Sequence, residues 1–126
     1  MGARCTFIFK QSEEQAVALY SHWGEYTLHA DLAQALQHAA VRKGDHEYYT
    51  RMAVSYLLKD SILDETGFGL YACDPNTHMQ YCDLPVLIDL INYTVTDITG
   101  TQSIDKFINY YLPSDVHVVG ASSAQG

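Results

Sequence analysis

Alternation of apolar and polar positions opens the chain. CTFIFK, residues 5–10, is rich in β-branched and aromatic residues and predicts a strand over about residues 4–10. The polar link QSEEQ separates it from a second apolar run, AVALYSH, residues 16–22. So short a link predicts a β-hairpin. The second run ends at Trp23, the chain's single tryptophan, just before Gly24.

From Thr27 the period changes. Leu28, Leu32, Ala35, Leu36, Ala39 and Ala40 recur at helical spacing, with Thr27 as the expected N-cap. Arg42 and Lys43 suit the last turn of a helix, and Gly44 suits its end. Asp45 is placed to cap a second helix over about residues 46–60, whose inner face would be Tyr49, Met52, Ala53, Tyr56 and Leu57. With so short a link, the two helices should pack as a pair.

Strand chemistry returns in ILDETGFGLYACD, residues 62–74, and DPNTH reads as a turn. YCDLPVLIDLINYTVTDI, residues 81–98, is long and β-rich, and a turn near Leu90–Asn92 would split it into two strands. Ser103 can cap a last helix, IDKFINYYL, that stops at Pro113. The predicted order is ββ-αα-βββ-α. That order is an α+β fold with an antiparallel sheet and helices on one face. Residues 1–119 form a single domain in this reading, and the small-residue stretch 120–126 a mobile tail.

Charge narrows the partners. Seven basic against fifteen acidic residues give a formal charge of −8. That disfavours duplex nucleic acid and anionic membrane surfaces, both of which call for lysine and arginine. No apolar stretch reaches membrane-spanning length, and the first residues lack a secretory apolar core. Cys5, Cys73 and Cys82 have no metal-type spacing, which fits a reducing cytoplasm, thiols in the reduced state and no zinc. Ten tyrosines suit wet interfaces and ligand pockets. Together with Val116, Val118 and Val119, which could pair as an added strand, they predict a homodimer or higher homo-oligomer.

Candidate chemistry lies in three stretches. His22 and Trp23 sit at a strand-to-helix turn, where an indole and an imidazole can form a stacking and hydrogen-bonding wall, or simply close the strand end. Tyr48 and Arg51 lie one helical turn apart and could present a phenol and a cation together. Arg51 could equally be an ion-pair partner of Asp64 or Glu65. Glu65 and Thr66 stand beside flexible glycines, where a carboxylate can act as acid or base or cap backbone amides. The histidines do not cluster in sequence, and no catalytic, phosphate-loop or cofactor motif is present, so no metal or cofactor is expected.

LYSHWGE, YYTRMAVSYLL and DETGFGLY together resemble a group of small bacteriophage and prophage proteins. The shared pattern is a strand ending in Tyr-Ser/Thr-His-Trp, a helical Tyr-x-x-Arg and a Glu-Thr-Gly-Tyr-Gly turn. It falls here on Tyr20–Trp23, Tyr48–Arg51 and Glu65–Gly69, and the similarity spans roughly residues 4–100. Phe68 replaces the tyrosine, and Glu25 stands where a glycine is common. The resemblance implies a phage-encoded accessory protein in the cytoplasm of an infected bacterium. The expected function is anti-defence: sequestering a small nucleotide-derived signal, with His22, Trp23, Tyr48, Arg51, Glu65 and Thr66 as the ligand-binding set. Two alternatives stand beside it. One is a protein–protein inhibitor of a host defence complex. The other is a small hydrolase using Glu65 and His22.

Overall fold

The computed structural model describes residues 3–23, 27–78 and 84–112. The first hairpin forms as expected, from β1 (Ala3–Lys10) and β2 (Ala16–Trp23). After it come α1 (Leu28–Ala39), a 3-10 turn (Ala40–Arg42) and α2 (His46–Leu58). Then follow β3 (Phe68–Cys73), the single-turn helix α3 (Pro75–His78), β4 (Pro85–Asp89), β5 (Thr94–Asp97), β6 (Gly100–Ser103) and α4 (Ile104–Tyr111). The fold is α+β.

The six strands form one sheet in the order β3-β2-β1-β4-β5-β6. It is mostly antiparallel but not wholly so, because β1 and β4 run parallel. The cause is the connection after β3. It carries the chain from one side of the β1–β2 hairpin to the other, and a crossover of that kind can bring strands together in the same direction. Two further departures are local. DPNTH is a helical turn rather than a plain turn, with Asp74 Oδ1 accepting from the amides of Asn76 and Thr77. GTQS forms a short sixth strand that pairs with β5 through Thr96 and Thr101.

Strand alternation gives the sheet two buried faces at its centre. Cys5, Phe7 and Phe9 of β1 meet Leu19, Val86, Ile88 and Val95 on the face covered by α1, α2 and α4. From the helices come Leu32, Leu36, Tyr49, Ala53, Leu57, Ile104 and Phe107. Ile8 and Ala18, opposite one another in register, are fully buried on the other face. Lys10 is buried there too, with its ammonium 3.8 Å from Asp89 Oδ2 and 3.5 Å from Glu13 Oε2. Asp89 also accepts from the amides of Ile91 and Asn92, which shapes the expected turn between β4 and β5.

Caps follow the sequence in two cases of three. Asp45 accepts from the Tyr48 amide and Ser103 from the Lys106 amide, but Thr27 makes no side-chain cap bond. On α2, Thr50 and Val54 are buried, while Met52 and Tyr56 are only half-buried, so the inner face is rotated from the expected one. Gly44 joins the two helices at φ 95°, a conformation disfavoured for residues with a Cβ. Gly44→Ala is expected to lower stability by about 1 kcal/mol, read as a drop in melting temperature.

Candidate functional site

The expected site residues fall at two ends of the sheet. Ser21 pairs with Phe68 and Tyr20 with Gly69, so the end of β2 and the start of β3 lie side by side. The Tyr20 ring passes 3.9 Å from where a Cβ on Gly69 would stand. Glu65 and Thr66 are exposed just before β3. The structure therefore brings two of the three stretches together at this end. The side chains of His22 and Trp23 lie outside the described part of the structure; in backbone register they stand opposite Arg4 and Ala3.

Tyr48 and Arg51 are elsewhere. α2 crosses the other end of β2 and is tied to the hairpin turn at two points. The Gln11 side-chain amide donates to Thr50 Oγ1, and His46 Nδ1 lies 3.2 Å from the Gln11 carbonyl. Beside this anchor lies a depression of about 330 Å³ between α2 and the β2–β3 edge, within the size range of small-molecule sites. Val17, Val54 and Leu70 give it an apolar lining, and Thr50, Glu47 and Arg51 border it as well. Val17 and Trp23 are six residues apart on β2, about 20 Å at the strand rise. Arg51 is thus set apart from the Trp23 end.

Arg51 is exposed, and its Nη1 donates to Ser55 Oγ at 3.2 Å. Its expected alternative, an ion pair with Asp64 or Glu65, is not formed; both carboxylates are exposed, and no carboxylate pairs with Arg51 among the described residues. Tyr48, half exposed, is covered on one face by the Arg42 guanidinium, 4.4 Å from the ring centroid. It borders a broader, more polar hollow with Gln15, Gly44 and Asp45. Tyr48 and Arg51 therefore serve adjoining hollows on one helix.

A different cluster escaped the sequence. His29, in the first turn of α1, places Nε2 3.2 Å from Asp97 Oδ2 at the end of β5. Asp97 Oδ1 accepts from the Thr99 amide at 2.8 Å and the Thr99 hydroxyl at 2.6 Å. The His29 ring stacks on Tyr111 of α4, with centroids 4.6 Å apart. The pair lines a cleft of about 220 Å³ with otherwise mainly aliphatic walls from Leu28, Leu84, Val86 and Ile98. Sixty-eight residues separate the two partners, so no local spacing could signal them. Among the described residues no group of histidine, cysteine and carboxylate side chains could hold a metal ion. No helix among them is long and apolar enough to cross a membrane.

Asp97 is the more informative titrating group of the pair. Burial alone would raise its carboxyl, but hydrogen bonds from Thr99 and His29 outweigh burial and hold it below the usual carboxylate range. A depressed folded value contributes stability above the unfolded pKa, and that contribution is lost as pH falls through the folded value. Asp97→Asn is therefore expected to cost about 1–2 kcal/mol at pH 7, from loss of charge-assisted bonds. The gap from wild type should close as pH falls below about 4, measured by denaturant unfolding.

Comparison with protein-family models, with curated proteins and with solved structures returned no match.

Proposed function

We propose that the protein is a non-catalytic binding protein that takes up a small nucleotide-derived molecule, as a phage-encoded anti-defence protein would to silence a bacterial immune signal. The observation that carries the reading is Arg51. In a chain with fifteen acidic residues, its guanidinium is exposed, pairs with no described carboxylate and stands beside an apolar lining. A planar cation next to an apolar patch is what a nucleotide needs: charge-assisted bonds for the phosphate and a dry surface for the base. Glu47, on the same edge, can accept from a base amine or a ribose hydroxyl. It also repels a second phosphate, which favours ligands with one phosphate near Arg51.

A second reading rests on a separate observation. Ile62, Leu63 and Leu70 are exposed, Leu63 by 93%. Exposed large apolar side chains suit a protein partner, either another copy or a host protein.

Uptake separates these readings. The purified protein is incubated with a pool of nucleoside mono-, di- and cyclic phosphates, washed, denatured, and the released molecules analysed. Release of an unaltered nucleotide in stoichiometric amount is the expected result. An altered product would make the protein an enzyme, and no uptake would leave the protein-partner reading.

A further inference from the structure

We infer that the cleft between the first turn of α1 and the β4–β5 strands is a second binding site, for a small molecule with an apolar body and one O–H or N–H donor that His29 reads. It does not depend on the Arg51 reading. Arg51 serves the β2–β3 half of the sheet, and this cleft the β4–β5 half.

The hydrogen-bond chain around Asp97 fixes the chemistry. An ionised carboxylate only accepts, so the 3.2 Å contact requires the proton on His29 Nε2. Thr99 occupies the other carboxylate oxygen twice over, which holds Asp97, and through it the imidazole, in one orientation. Stacking on Tyr111 fixes the ring plane. In the neutral ring this leaves Nδ1 as a lone-pair acceptor, and it has no hydrogen-bond partner among the described residues. An acceptor oriented by the Asp97 hydrogen bond and the Tyr111 stack, on a side chain one-third exposed, is a preorganised recognition group.

The walls fix the rest of the ligand. Leu28, Leu84, Val86 and Ile98 are aliphatic, and about 220 Å³, below the usual range of small-molecule sites, limits the ligand to about a single ring. Leu84 adopts φ 43°, a left-handed conformation that costs a residue with a Cβ about 1–2 kcal/mol. Its side chain lines the cleft and stays 37% exposed. Ile98, which also lines the cleft, is 80% exposed. Apolar side chains left uncovered beside an oriented imidazole acceptor and the Asp97 carboxylate form a site for a molecule whose body is apolar and whose polar group donates.

Three probes of nearly one shape test this: p-cresol, with a donor; 4-methylanisole, with the oxygen but no donor; and p-xylene, with neither. Binding is followed at pH 8 by NMR of the Leu84 and Ile98 methyl groups in the full chain. The expected result is p-cresol binding about tenfold tighter than the other two, which should match each other. In His29→Phe, which keeps a ring against Tyr111, that preference should vanish while p-xylene still binds. Failure of all three probes to move the two residues at millimolar concentration would overturn the inference. So would equal binding of p-cresol and 4-methylanisole, a comparison that holds even if the variant does not fold. A p-cresol preference surviving in folded His29→Phe would overturn it as well.

Discussion

Leu36→Ala is expected to lower the free energy of unfolding by about 2–5 kcal/mol, and Arg51→Ala by less than about 0.5 kcal/mol. Leu36 is fully buried on α1, inside the cluster that joins the helices to the sheet. Truncation there removes transfer energy and leaves a cavity that rigid neighbours cannot fill. A loss of that size is a large share of a small domain's stability. Arg51 sits on a helix too, but its side chain is exposed and bonds only the Ser55 hydroxyl among the described residues. Alanine there even gains slightly in helix propensity. Thermal melts of both variants beside wild type decide the matter. An Arg51→Ala melt as low as that of Leu36→Ala would make Arg51 a structural residue.

The second large effect is on binding. Arg51→Ala is expected to weaken nucleotide affinity ten- to a hundredfold, because a charge-assisted contact to phosphate contributes about 1.5–3 kcal/mol. Arg51→Lys should fall between wild type and alanine, since the charge remains but the planar fork is lost. The overall charge of −8 slows capture of an anion from a distance, so added salt should change affinity less than this substitution does. Isothermal titration with a nucleoside monophosphate measures both. Equal affinity in wild type and a folded Arg51→Ala would remove the anion contact from the account.

The sequence was most legible where the signal is local. Alternation in CTFIFK and AVALYSH marked both strands of the hairpin, and Asp45 and Ser103 marked two helix starts, because side-chain period and cap chemistry act within a few residues. The parallel β1–β4 pair was not legible, because a strand's period is the same whichever neighbour it joins. β6 was missed because Gly-Thr-Gln-Ser carries no apolar alternation; β5 supplies its pairing. Thr50 was absent from the expected inner face of α2; its hydroxyl, polar in isolation, is satisfied by Gln11 from the hairpin turn. For the candidate site, the sequence marked Arg51 and Tyr48 as neighbours on one helix. The apolar lining from Val17 and Leu70 comes from two strands that only the fold brings beside Arg51. His29 and Asp97 met in the same way, from positions 68 apart in the sequence.

The most direct measurement of the central claim is an amide chemical-shift map of the wild-type chain titrated with a nucleoside monophosphate. Shifts are expected at Gln11, Val17, Thr50, Arg51 and Leu70, around the depression beside α2, and in Arg51→Ala only at ten- to a hundredfold higher nucleotide. Shifts confined to other parts of the fold, or none at saturating nucleotide, would contradict it.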